Sequence, residues 1–295
     1  SEDADLVVVH SEFVYRSIKA AGRPMPSIKV VPHGIDEAMM GMAKPAERVL
    51  QFKGDRPAVL FCGGLIWRKG FDVFLSSVLA ARSAGHDFVV VVKGLGAGQH
   101  YGNFNLAGLL DRFRKTPGTP DVLLIDDELP REELASIYTA CDVMVHPYRG
   151  EGFCMPVLEA RACGLPVLAT RGGATDGFMV GPSAHRIASD RRSVELPGAH
   201  VSEPWVLEPQ ADSAGELLCQ VLDNLPEQQR QARAFAETIH AAYTWDSAAE
   251  SVEVLANEGM AMRGVRDEHH DPVIVMPQRP QPPQPVQSRP QPVWS

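Results

Sequence analysis

From Ala58 to Thr170 the chain alternates short apolar runs with stretches whose apolar residues recur every three or four positions. The runs are AVLFCG (Ala58 to Gly63), FVVVVKG (Phe88 to Gly94), DVLLIDD (Asp121 to Asp127), DVMVHP (Asp142 to Pro147) and LPVLAT (Leu165 to Thr170). None has a polar face, and a strand reads this way when both of its sides are covered, as in a parallel sheet. Between the first two, Phe71, Phe74, Leu75, Val78 and Leu79 take the i, i+3, i+4, i+7, i+8 spacing of one helix face, with Gly85 at the C-cap position. PREELASIYTAC (Pro130 to Cys141) sets Leu134, Ile137, Tyr138 and Cys141 on one side, with Pro130 near its first turn. PVLEARACG (Pro156 to Gly164) predicts a further helix. Strands and helices in this order predict an α/β fold: a doubly wound, Rossmann-like parallel sheet with right-handed crossovers.

The flanks read differently. LVVV (Leu6 to Val9) and IKVVPHGID (Ile28 to Asp36) bracket a helix and predict one βαβ piece, its second strand ended by Pro32 and Gly34. A loop is expected from there to about Arg56. The stretch from Gly181 to Pro209 shows no period, although PWVLEP within it is apolar. Helical patterns run from Ala214 to Leu225 and from Glu227 to about Asn257. The residues from Asp271 to the end hold eight prolines among Gln and Arg, a composition that predicts a disordered, polyproline-like tail. The expected organisation is therefore residues 1–36, a Rossmann-like domain over 54–260, and a tail over 271–295.

Composition narrows the classes. The net charge of −9 argues against a nucleic-acid partner, because binding a phosphate backbone calls for a basic field. No apolar run reaches the roughly 18–20 residues of a spanning helix. The first residues lack a basic n-region and an apolar stretch, so no secretory signal is read, and Ser1 in place of Met suggests a piece of a longer protein. Five cysteines include no C-x-x-C pair, which points away from a disulfide framework and from metal-ligand spacing, and toward a cytoplasmic setting.

In an open parallel sheet, ligands sit outside the carboxyl ends of the strands. Three loops there carry unusual residues. GGLIWRKG (Gly63 to Gly70) offers close backbone approach at Gly63 and Gly64, then two cations, Arg68 and Lys69, before a helix. YRGEGFCMPVLEA (Tyr148 to Ala160) enters a helix at about Met155, so the N–H groups of Gly152, Phe153 and Cys154 point where the helix dipole favours an anion such as a diphosphate. Glu159 lies in that helix's first turns, within reach of sugar hydroxyls. TRGGATDGF (Thr170 to Phe178) faces the same cleft. Each loop alone is also explained as a solvated turn or a favourable acid near a helix start. GLGAGQ (Gly94 to Gln99) is not a full dinucleotide fingerprint, and P-loop, G-x-S-x-G and H-E-x-x-H motifs are absent. His33, His86 and His146 are read as structural or loop residues. A two-carboxylate glycosidase built on Glu151 and Glu159 is open by residue type, but nothing fixes the separation it needs.

Taken together, EGFCMPVLEARACGLPVLATRGG strongly resembles the E-x7-E signature of glycosyltransferase family four, which has the GT-B fold, with Glu151 and Glu159 as the two acids. VPHGID, RKGFDVFL, PREELASIYTACDVMVHPYRGEGF and YTWDSAAESV resemble the same family in the same order, across about Leu6 to Asn257. The resemblance implies retaining transfer of a sugar from a nucleotide diphosphate-sugar to an acceptor (glycan, lipid or small molecule), with no required metal or other cofactor. It implies that Glu159 holds the donor ribose, Glu151 contacts the sugar near its transferring carbon, and Lys69 with Arg68 neutralises the diphosphate, assisted by the Gly152 and Phe153 amides and by close approach at Gly63 and Gly64. The base would lie against the loop after DVLLIDD.

Two positions depart from the family: Gly64 stands where an Arg is usual, and EGFC replaces EGFG. On the same resemblance, residues 1–36 are the last piece of an N-terminal acceptor domain, and peripheral membrane association stays open. A non-catalytic nucleotide-sugar-binding or scaffold fragment is the alternative from another class; a GT-B sugar-nucleotide epimerase fits the motifs less well.

Overall fold

The computed structural model describes residues 6–22, 27–40, 43–94, 106–195, 198 and 202–264. The tail from Asp271 and most of the GLGAGQ loop lie outside the described residues.

Five apolar runs become strands β3 (Ala58–Cys62), β4 (Val89–Lys93), β5 (Val122–Ile125), β6 (Val143–His146) and β7 (Val167–Thr170), joined by β8 (Ala184–Ile187). They form one six-stranded parallel sheet in the order β5-β4-β3-β6-β7-β8. The chain winds outward from β3 to β5, then returns to lay β6 on the other side of β3. That reversal is the doubly wound switch point.

Side-chain alternation along the strands feeds two cores. Val59, Phe61, Val90, Val92, Val143 and Val145 face α4 (Phe71–Ser83), α5 (Leu106–Lys115) and α8 (Ala211–Asp223). Leu60, Val89, Val91, Met144, Val167 and Ala169 face α3 (Glu47–Lys53), α6 (Arg131–Ala140), α7 (Met155–Ala162) and α9 (Leu225–Ala242). Strands β3, β4, β6 and β7 are buried along their whole length, which is why neither face of them needed a polar residue.

The first segment is a separate unit. β1 (Leu6–Val9) and β2 (Ser27–Val30) pair in parallel around α1 (Glu12–Ala20) and share no ladder with the large sheet. Its exit, after the expected stop at Pro32 and Gly34, is clasped by the end of the chain. The Ile35 N–H donates to the Tyr243 carbonyl at 3.0 Å, and a side chain at Gly34 would overlap the Trp245 backbone.

The structure corrects several expectations. The loop expected up to Arg56 contains α2 (Glu37–Met40) and α3, whose Val49 is fully buried. The unassigned stretch after Gly181 supplies edge strand β8 and a hairpin of β9 (Ser189–Ser193) and β10 (Trp205–Pro209). PWVLEP is β10. The single helix expected from Glu227 is two, α9 and α10 (Trp245–Gly264), because Thr244 Oγ1 caps a new start by accepting the Ser247 N–H at 3.1 Å.

Phe61 is the hinge of the α4-side core, with Phe71, Phe74 and His146 rings at 5.1, 5.2 and 5.4 Å. Phe61→Ala is expected to destabilise the fold by about 3–5 kcal/mol, read as a lower midpoint in guanidinium denaturation with an unchanged slope.

Candidate functional site

The loops after β3 and β6 meet at the switch point. The first ends in a single 3-10 turn, Trp67–Lys69, closed by Gly70 in the left-handed region (φ 71°). A Cβ at Gly70 would run into the Pro147 carbonyl oxygen, so glycine lets the two loops touch backbone to backbone. Arg149 then locks them. Its guanidinium donates to both Asp72 carboxylate oxygens (2.7 and 2.8 Å), to Glu208 Oε1 (2.6 Å from Nη2) and to the Trp67 carbonyl (2.8 Å), and lies 4.5 Å from the Trp67 ring centroid. The Arg149 N–H donates to the Arg68 carbonyl at 2.8 Å. One side chain thereby fixes the cationic turn, the start of α4 and strand β10.

On that frame three of the expected residues converge. Lys69 Nζ donates to Glu151 Oε1, Arg68 Nη1 stands 3.4 Å from Glu151 Oε2, and Arg68 also donates to the Gly150 carbonyl at 2.5 Å. The Gly152 and Phe153 amides, with that of Cys154, make no hydrogen bond to the described residues, so these donors at the start of α7 remain available. Ser11 Oγ donates to the Gly152 carbonyl at 2.7 Å, tying the loop to the first segment. Phe153 itself is buried, its ring near His33, Phe178 and Tyr243. Its backbone, not its side chain, faces the crevice chemistry. Gly63 is likewise limited: its N–H is engaged by the Lys93 carbonyl at 2.9 Å, so it supplies space. The same role falls to half-buried Gly64, whose carbonyl accepts the Ile66 N–H at 2.9 Å.

Cys154 caps α7 in the left-handed region (φ 74°), a conformation that costs a non-glycine residue about 1–2 kcal/mol. Its side chain is buried in the α7-side core, and that burial offsets the cost. The EGFC of this chain thus sets a buried thiol beside the Glu151 carboxylate.

Glu159 sits apart from the Glu151 cluster. It is 3% exposed and accepts the Tyr138 hydroxyl at 2.9 Å and Arg131 Nη1 at 3.1 Å, rather than pairing with Lys69 or Arg68. Burial raises its pKa, while Tyr138 and Arg131 act in the opposite direction. Arg131, more than half exposed, covers the way from Glu159 to solvent.

His146, read from sequence as a structural residue, is fully buried beside Glu151, its Nε2 4.0 Å from Oε1. Burial, then the charges of Lys69 and Arg68, depress its pKa to about 3, so the ring is neutral. Donor atoms of His146, Glu151 and Cys154 lie within 4.8 Å of one another, a set with the residue types of a metal site. Two cations already occupy that field and one of them holds the carboxylate.

These loops have a counterpart in known proteins. Residues 56–190 match the family of glycosyl transferases group 1. Around this matched segment the likeness extends further. The D-inositol 3-phosphate glycosyltransferase of Corynebacterium jeikeium is 30% identical over 270 residues, 87% of this chain and 58% of that protein. The GDP-mannose-dependent alpha-(1-6)-phosphatidylinositol monomannoside mannosyltransferase of Mycolicibacterium smegmatis is 27% identical over 181 residues, 58% of this chain and 45% of that protein. Sucrose-phosphate synthase from Thermosynechococcus elongatus superposes with a TM-score of 0.68 at 20% identity, covering 88% of this chain and 60% of that one. The fold is the α/β fold of GT-B glycosyltransferases. The chain spans about half the length of the curated relatives it matches. No helix among the described residues is long and apolar enough to cross a membrane.

Arg149 stood out only by its place beside the acidic motif, Tyr138 was read as part of a helix's apolar side, and Arg131 carried no sequence signal. Arg149→Met should leave Asp72 and Glu208, each about 30% exposed, without their main partner. The expected loss is about 2 kcal/mol in chemical denaturation.

Proposed function

We propose that this chain binds a nucleotide diphosphate-sugar at the switch-point crevice and forms the donor-binding, C-terminal part of a retaining glycosyltransferase. The observation that carries the reading is the meeting of Lys69, Arg68 and Glu151 beside unengaged amides at the start of α7. Two fixed cations and a helix N-terminus suit a diphosphate better than any other common ligand group.

In this reading Lys69 and Arg68 take the diphosphate, with the Gly152 and Phe153 amides, while Gly63 and Gly64 allow it close to the backbone. Glu159 accepts the ribose hydroxyls once Arg131 gives way, and the base lies near the loop after β5. Glu151 reaches the sugar next to its anomeric carbon. Transfer breaks the bond from that carbon to the diphosphate oxygen. The electron pair leaves with the diphosphate, whose growing charge the cations and amides stabilise, and the acceptor hydroxyl oxygen bonds to the carbon on the same face as its proton passes to the departing diphosphate oxygen. The acceptor is a glycan, lipid or small molecule met through an N-terminal domain of which residues 1–36 are the last piece. No metal is needed, because Lys69 supplies the charge at the carboxylate that a cation would otherwise occupy. The setting is the cytoplasm, at a membrane surface where the acceptor is a lipid.

The test is a thermal-shift screen with UDP, GDP, ADP, dTDP and their common sugar conjugates. A ligand at about a hundred times its Kd should add about 2.7 kcal/mol of apparent stability. One base is expected to act selectively, with a shift that EDTA leaves unchanged. Lys69→Ala should abolish the shift, and Glu159→Ala should weaken it. A cooperative melt that no nucleotide moves would leave the non-catalytic scaffold as the better reading.

A second check separates ribose binding from packing. Glu159→Gln keeps an acceptor for Tyr138 but loses the charge, so it should retain most of the melting temperature while weakening nucleotide affinity about tenfold. Equal losses in both would assign Glu159 to the core alone.

A further inference from the structure

Glu151 has two sets of neighbours and uses only one. Lys69 and Arg68 hold it from the side of the crevice. On the inner side stands His146, with no exposed side-chain surface and, among the described residues, no hydrogen-bond partner at either ring nitrogen. A buried polar group without a partner is costly, and native structures retain few of them. Among the described side chains named beside the ring, the others do not serve. Phe61 packs edge-on at 5.4 Å, and the Tyr148 ring is 6.0 Å away with its hydroxyl engaged by Thr175 at 2.9 Å. The Cys154 thiol is buried, and burial raises its pKa, so it offers no anion. Lys69 and Arg68 bring only donors. The acceptor within reach is Glu151 Oε1, 4.0 Å from Nε2 and at present held by Lys69.

We propose that Glu151 has two positions and that His146 is the positioning residue for the second. When a diphosphate takes Lys69 and Arg68, the released carboxylate turns inward and accepts the Nε2–H of His146. This rests on the donor reading above. No covalent bond is made or broken; two ion pairs and an idle N–H are exchanged for cation–diphosphate contacts and an N–H···carboxylate bond. The exchange has a structural logic. Glu151 is only 9% exposed, so losing its cations without a second partner would strand a buried charge. His146 removes that penalty and holds the carboxylate at the inner wall only after the diphosphate has arrived. The empty protein is thus closed by its own acid, and ligand entry sets that acid in place.

A double-mutant cycle tests this by calorimetric titration of UDP and of GDP into the parent chain, His146→Met, Glu151→Ala and the double variant. His146→Met should weaken the binding nucleotide about tenfold in the parent, and have no effect where Glu151 is absent. Equal weakening in both backgrounds makes His146 a packing residue and overturns the proposal. Imidazole 15N spectra of the parent give an independent reading that does not depend on a variant's folding. The nucleotide should bring a slowly exchanging, downfield Nε2–H signal from His146, and His146→Gln, which keeps an N–H donor, should retain most of the affinity. A bound nucleotide that leaves the His146 signal unmoved overturns the two-position reading alone. If neither of these nor ADP nor dTDP binds the parent chain, this proposal and the donor reading beneath it both fall.

Discussion

A guanidinium taken out of water must find its acceptors within the fold, and Arg149 finds them on three different segments. Asp72 opens α4, Glu208 belongs to β10, and the Trp67 carbonyl belongs to the cationic turn. None of these groups neighbours another in sequence, so the sheet's architecture must be complete before the network can close. Once closed, it determines where Arg68 and Lys69 stand. The contact at Gly70 and Pro147 does the same job with backbone, leaving the turn no room to drift from the β6 loop. The crevice is therefore rigid on its cationic wall, and what freedom remains lies with the acid opposite.

The electrostatics of that crevice follow from the same arrangement. An acidic protein concentrates two cations at one point and balances them locally with one carboxylate, rather than surrounding them with a basic surface. The same cations also bear on His146. Burial disfavours its charged form, and the cations nearby reinforce the effect. A ring that stays neutral through the physiological range is a hydrogen-bond donor with no charge of its own to compete with theirs. Glu159 is managed differently: it is buried deeper, yet given a phenol and an arginine, so its burial is compensated in the empty protein.

The sheet was legible in the chain because parallel strands covered on both faces must be apolar throughout. β3, β4, β6 and β7 are apolar up to their carboxyl ends, where Lys93, His146 and Thr170 stand buried near the crevice loops. The helices α4 and α6 were equally plain from their spacing. What stayed hidden was held by other means. β8 is an edge strand with an exposed arginine, and β9 (SDRRS) is polar along its length. That hairpin is kept by pairing with β10 and by Arg191 lying 4.2 Å from the Trp205 ring, neither of which leaves a periodic trace. α3 is too short for a period to emerge. At the site, the E-x7-E spacing pointed to Glu151 and Glu159 but could not show that they serve different walls. The histidine between sheet and loop looked like any other core histidine, since an unpartnered ring is visible only when its neighbours are.

The clasp of Ile35 against Tyr243 joins parts of the chain roughly two hundred residues apart. During synthesis at ~5–20 residues per second, the first βαβ unit leaves the ribosome about 10–40 s before the segment that will hold it has been made. Until then the backbone around Gly34 has no seat. The unit of β1, α1 and β2 thus settles only once a segment made much later has arrived, and a chaperone bound early would find a persistent target there.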